Sequence, residues 1–321
     1  LFGSQLESIT SGQGPANLDA SILPVMELCD QPVLLTDAHG VILQYNQLAE
    51  DLLKVCELTS ASLWQIFPNS VVKRIMEGND LFEKSVTIGG MAKGSGMIHP
   101  NMCTMLAFIT TDAVISRKAL QKAMSNDVEE TYNMISVDGD TSTNDTALLL
   151  ANGMAGNKKI KKGTPEFKVF QEALHYVNET LAKKMAGDGE GATALFEVKV
   201  VGAKTKEQAK TLAKSVVCSN LTKAAIAGHD ANWGRILCAM GYSGAKFDPE
   251  KVDLYFESTA GKLQIIKDGT AVDYSEEKAT EILSQEKETA TADLKAGEAE
   301  ATAWGCDLTH GYIDINADYR S

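Results

Sequence analysis

The sequence predicts an α/β (α+β) fold for most of its 321 residues, because helical and strand periodicities alternate along it without a repeat. Three stretches carry that prediction. Phe167, Phe170, Leu174, Val177 and Leu181 recur at helical spacing behind Thr164-Pro165, a helix start with proline in its first turn. The run ALFEVKVVGA (194–203), entered through the Gly-rich loop AGDGEGAT (186–193), reads as a strand. Thr205 and Gln208 then form a capping box, followed by Ala209, Leu212, Ala213, Val216 and Val217 on one helical face.

In chain order, residues 1–20 are polar and rich in Gly and Ser, which suits a linker or frayed arm. Apolar runs at 32–36 and 41–45 flank Asp37-Ala38-His39-Gly40, a hairpin turn signal. Asn46 suits a helix cap, and Leu48, Ala49, Leu52 and Leu53 share one helical face. This order of strand, turn, strand, Asn and helix resembles a PAS sensor domain over about residues 21–85; the same pattern also describes a generic hairpin followed by a helix. From Val86 the texture changes. The tail DLTHGYIDINADYRS (307–321) alternates with period two and ends on polar residues.

The bulk properties exclude several classes of function. A net charge of −13 argues against nucleic acid as a partner, since phosphate backbones bind basic surfaces. Six scattered cysteines without a CxxC pair suit reduced thiols in a cytosolic protein. No run reaches the roughly 18 apolar residues of a membrane span.

The stretch KGSGMIHPNMCTML (93–106) places a loosely held loop directly before a threonine that opens an apolar run. A threonine hydroxyl is a poor nucleophile alone, but a free α-amino group beside it can serve as its base. That amine titrates near 7.7–8, so no histidine is required. Cutting the Cys103-Thr104 bond by attack of the Thr104 hydroxyl on the Cys103 carbonyl would create nucleophile and base together. A threonine at a strand start is also commonplace, so spacing alone does not decide between self-cleavage and an ordinary turn.

The neighbouring words do more. VTIGGMAKGSGMIHPNMCTMLAFITTDA (86–113), SVDGDTSTNDT (136–146), AGDGEGAT (186–193), NWGRILCAMGYSG (232–244) and CDLTHGYIDINADYRS (306–321) resemble, in order, the ArgJ family of glutamate N-acetyltransferases, also called ornithine acetyltransferases. The resemblance spans about three-quarters of the chain. It implies an ArgJ/DmpA-like layered α/β sandwich with an N-terminal threonine nucleophile, in which 86–103 ends an α chain and 104–321 is a β chain. It further implies cleavage between Cys103 and Thr104, with Thr104 as nucleophile and Lys93, Thr104, Glu190, Asn316 and Ser321 at substrate-binding positions. The implied reaction moves acetyl from N-acetylornithine to glutamate in arginine biosynthesis, in a cytoplasmic α2β2 assembly, without metal or prosthetic group. Some members also take acetyl-CoA as co-substrate. Lys93 suits a substrate carboxylate, Glu190 an ammonium, and Asn316 and Ser321 polar groups.

Two departures stand out. Cys103 occupies a position where the family usually has alanine, also small. The first 103 residues contain no Thr-Gly pair, which the family uses in its oxyanion hole, so the resemblance implies weakened transfer and a join near Lys84-Ser85-Val86. The competing expectation is a PAS-based ligand sensor fused to an inactive remnant. Other motifs point away from cofactors. The glycines at 187, 189 and 191 match neither phosphate-loop pattern. Asp138, Asp140, Ser142 and Asn144 alternate as in a calcium loop, but Thr143 and Leu149 stand where Gly and Glu are needed. His39, His99, His175, His229 and His310 show no metal spacing, and NKKIKKG (157–163) reads as a solvated turn.

Overall fold

The computed structural model describes residues 34–36, 42–45, 47, 85–102 and 104–319. The chain divides into two compact units, residues 1–85 and 86–321. In the first, strand β1 (Leu34–Thr36) pairs antiparallel with β2 (Ile42–Tyr45), as the hairpin signal predicts. The arm at 1–20, the helix after Asn46 and the rest of the PAS-like span lie outside the described residues, as do Cys103 and Ser321.

The second unit is layered. A three-stranded sheet in the order β3-β4-β6 is built from β3 (Ile88–Lys93), β4 (Leu106–Thr111) and β6 (Thr146–Ala151), with β3 antiparallel and β6 parallel to β4. Between β4 and β6 run helix α1 (Arg117–Val128) and the short strand β5 (Ile135–Ser136). The predicted long helix is α2 (Pro165–Gly187), capped by the Thr164 hydroxyl, which accepts from Phe167 N. Its Phe167, Phe170 and Leu174 are buried, while Val177 and Leu181 are half-buried. Leu181 lies over Gly90 of β3, where a side chain would crowd it. A buried Asp127 carboxylate ties α1 to α2, accepting from Asn178 Nδ2 at 2.6 Å and lying 2.6 Å from His175 Nδ1.

The predicted strand is β7 (Leu195–Ala203), an interior strand of a seven-stranded mixed sheet that β5 closes at one edge. It is followed by α3 (Lys206–Val217), α4 (Asn220–Ala227) and α5 (Trp233–Gly241). All five apolar positions predicted for α3 are buried. Its capping box is half as expected. Thr205 accepts from Gln208 N, but the Gln208 carbonyl turns to Lys204 N, one residue before the cap. The sheet is completed by β8 (Asp253–Ser258), β9 (Gly261–Lys267) and β10 (Thr270–Ala271), then, after α6 (Glu276–Leu283), by β11 (Lys287–Asp293) and β12 (Ala299–Cys306). Strand β7 runs parallel to β11 and antiparallel to β12.

The alternating tail is not a strand. It forms helix α7 (His310–Asp318), because the Thr309 hydroxyl accepts from Gly311 N and starts a helix there. Lysines 158, 159, 161 and 162 are exposed, as a solvated turn requires, around a buried Ile160. Among the described residues no helix is long and apolar enough to cross a membrane.

Candidate active site

Thr104 stands two residues before β4, exposed, at the same end of the small sheet as Lys93, the last residue of β3. Lys93 pairs in register with Leu106. The loop that joins the two strands turns back at Met97, whose φ of 53° is unusual for a side chain of that size. That turn aims the Met97 carbonyl at the Thr104 hydroxyl, which donates to it at 2.9 Å. The hydroxyl is therefore oriented before any substrate arrives.

The loop is held by Asp138. Its carboxylate accepts from Met97 N at 2.7 Å, Ile98 N at 3.1 Å and Asp140 N at 3.1 Å. The side chain that looked like the first ligand of a calcium loop is thus engaged with backbone N–H groups. It also accepts from the Tyr312 hydroxyl of α7 at 3.2 Å. Burial first, and then the Asp138 charge, push that phenol up to about 12, so it remains a donor at neutral pH.

Glu190 joins the same loop from the other side. Its backbone N donates to Ser95 O at 2.9 Å, and its carboxylate lies against Gly96, where any side chain would collide with it. Asn316 Nδ2 donates to Glu190 Oε2 at 2.9 Å and to Tyr312 O at 3.0 Å. The 188–193 loop reaches α7 at Gly191, with φ +71° and a Cα packed on the Gly311–Tyr312 backbone. Thr309 Oγ1 donates to Gly191 O at 2.6 Å. Below it, Asp307 accepts from Thr193 N, Thr193 Oγ1 and Ala194 N.

Thr104 and Glu190, named from sequence, thus meet on the 94–97 loop, and Asn316 joins them through Glu190. Lys93 borders that loop, exposed, and its ammonium makes no hydrogen bond or ion pair among the described residues. Cys103 and Ser321 are outside them. Sequence reasoning missed Asp138 as a loop holder, Tyr312 and Asp307. Each acts across more than 100 residues of chain or through backbone groups, and no local spacing announces that.

Comparison with known proteins gives a consistent result. The model of the ArgJ family matches residues 36–321. The chain is 47% identical over 312 residues to the arginine biosynthesis bifunctional protein ArgJ of Caldanaerobacter subterraneus, covering 94% of this chain and 76% of that protein. With the protein of the same name from Thermotoga neapolitana it shares 53% over 238 residues, 74% of this chain and 60% of the relative. A crystal structure of the Bacillus halodurans arginine biosynthesis bifunctional protein ArgJ superposes with a TM-score of 0.64 at 45% identity, over 67% of this chain and all of that one. The chain thus spans about three-fifths to three-quarters of the length of the Thermotoga and Caldanaerobacter relatives. The family match begins at residue 36, inside the span that resembles a PAS domain, and nothing in these comparisons supports the sensor reading.

Proposed function

The chain belongs to the ArgJ family, and from that premise we propose that it moves an acetyl group from N-acetylornithine to glutamate through an ester on Thr104. The observation that carries the reading is the 94–97 loop, which holds the Thr104 hydroxyl and lies against the Glu190 carboxylate, to which the Asn316 amide donates. The Thr104 oxygen first attacks the Cys103 carbonyl carbon, shifting the acyl group from nitrogen to oxygen. That shift frees the Thr104 amine, and water then opens the ester, leaving a carboxylate on Cys103 and restoring the Thr104 hydroxyl. The amine then takes the hydroxyl proton as the oxygen attacks the acetyl carbonyl, and passes it to the departing ornithine amine. The amine of glutamate takes the acetyl group from the ester in the second half-reaction.

Lys93 meets a substrate carboxylate and Glu190 a substrate ammonium, with Asn316 and Ser321 holding polar groups. The chemistry draws on no metal or prosthetic group. Acetyl-CoA as a second donor, a cytoplasmic location and an α2β2 assembly follow from the same family premise.

Two experiments test the reading. The intact mass of the purified chain should show two fragments divided before Thr104; Thr104→Ala should abolish the split and Thr104→Ser retain part of it. A Thr104→Ala protein still cut at this bond would remove Thr104 from the mechanism. In an assembly competent for transfer, Lys93→Met or Glu190→Gln should lower kcat/KM for N-acetylornithine about ten- to a hundredfold, the worth of a charge-assisted hydrogen bond. Unchanged kinetics in both variants would make these surface residues.

A further inference from the structure

A cavity of about 240 Å³ opens beside Thr193 and Ala194, where the Glu190 loop ends, between the start of β11 and the end of α4. Glu288 lines it. This residue is 1% exposed, and its Oε2 has no hydrogen-bond partner among the described residues. It is the second residue of β11, in register with the buried Phe196 of β7, so an acid stands where the strand otherwise feeds the apolar core.

The groups around Glu288 leave it without a cation. Asp307 has its oxygens taken by Thr193 and Ala194. The buried Lys223 ammonium donates to Cys306 O at 2.6 Å, and Glu288 makes no ion pair among the described residues. Glu286 adds a second, exposed carboxylate to the cavity lining, which also includes His229. The hydroxyls of Ser284 and Thr193 donate elsewhere, to Thr280 O and Asp307, and so present lone pairs. Ile226 forms an apolar wall. The cavity is rich in acceptors, poor in donors and apolar on one side.

We propose that this cavity binds a small primary ammonium ion carrying a short aliphatic chain, its N–H donors on Glu288 and its chain against Ile226. A divalent metal fits less well, since hard cations collect six or more oxygens and the described residues hold no cluster of metal ligands. Burial, and next the Asp307 charge, raise Glu288 to about 9, so at neutral pH its carboxyl carries a proton. Forming the ion pair therefore expels that proton to solvent, and affinity rises with pH from 7 towards 9.

The test is calorimetric titration of the full chain with n-propylammonium chloride at pH 7.5, in two buffers of different ionisation enthalpy. Potassium chloride and 1-propanol serve as controls. Saturable binding that releases close to one proton, absent with both controls and weakened at least tenfold by Glu288→Gln, is the expected result. No binding, binding without proton release, or binding unchanged in Glu288→Gln would overturn the proposal. Should Glu288→Gln fail to fold, proton release by the wild-type chain decides, because a surface carboxylate would release none. Acetyl transfer does not enter the readout, so the test stands apart from the role of Thr104.

Discussion

The two sheets of residues 86–321 treat their open faces in opposite ways. In the seven-stranded sheet, one face of β7 is Phe196, Val198 and Val200, buried, with α3 packed on that side of the sheet at Val217 and Gly305. The other face carries charge: Lys287 meets Glu197 at 3.5 Å, Lys199 meets Glu300 at 3.3 Å, and Lys262 meets Glu257 at 3.2 Å. That face is open to water at Lys199, Glu300, Glu257 and Lys262, while at Glu197 and the buried Trp304 it lies under Lys183 of α2. The three-stranded sheet buries Ala107 and Ile109 on the α2 side, yet its outer face is also apolar. Met91, Phe108 and Leu148 lie in one row across it, with Leu150 beside them, 40–70% exposed. A contiguous apolar face of this kind marks a surface suited to being covered. The candidate nucleophile sits at the end of that sheet, not of the charged one.

Adjacent residues of β4 give the sharpest way to break this comparison. Ile109 is fully buried and Phe108 is 40% exposed. Ile109→Ala should cost about 2–5 kcal/mol in chemical unfolding. Phe108→Ser should stay within about 0.5 kcal/mol while lowering the binding of a hydrophobic dye. If Phe108→Ser destabilised as much as Ile109→Ala, the outer face would be covered after all and the contrast between the sheets would vanish.

The same contrast explains what could be read from the sequence. Helices α2 and α3 were legible because their caps and apolar stripes are local: Thr164 and Thr205 each bond a backbone N three residues on. The outer face of the small sheet was not, since Met91, Phe108 and Leu148 have the same chemistry as core residues and only tertiary packing separates them. The tail misled for a related reason. Alternation in Tyr312–Asp318 gave way to a helix whose cap, Thr309, is fixed by Gly191, 118 residues away. Glu190 and Asn316 were named through family resemblance, but their mutual hydrogen bond across 126 residues had no sequence signal. Asp138 was visible only as an incomplete calcium pattern.

A smaller effect is expected where the two sheets' loops meet α7. Gly191 combines φ +71° with direct contact on the Gly311–Tyr312 backbone, whereas Gly139, at φ +82°, has nothing within 4 Å. Gly139→Ala should therefore show the left-handed strain alone, about 1–2 kcal/mol. Gly191→Ala should exceed it in thermal unfolding and also depress acetyl transfer, by pushing α7 and Asn316 away from Glu190. Equal costs at the two positions would mean that the 188–193 loop does not need its close approach to α7.

The last contrast concerns pH, where the two sheets should respond with opposite sign. His99 follows β3, 3.1 Å from Ser136 Oγ and 3.3 Å from Cys218 Sγ. Burial first, and then the Lys214 ammonium, lower it from 6.5 to about 4, against the opposing pull of Asp138. The unfolded chain takes up this proton near 6.5 and the folded chain resists it until about 4, so stability falls as pH drops through that window. Glu288, on β11 of the larger sheet, behaves in reverse. Buried beside the Asp307 charge, on the cavity that Glu286 and His229 also line, it keeps its proton up to about 9, where the unfolded chain has lost it above 4.5. Its contribution is full below 4.5 and is lost as pH rises through 9. Urea midpoints between pH 4.5 and 9 should therefore show the acid-side slope reduced in His99→Asn and the alkaline-side slope reduced in Glu288→Gln, each variant leaving the other side unchanged. If either variant moved both slopes, the two groups would be coupled, and the small sheet's loop could not be treated as titrating apart from the large sheet.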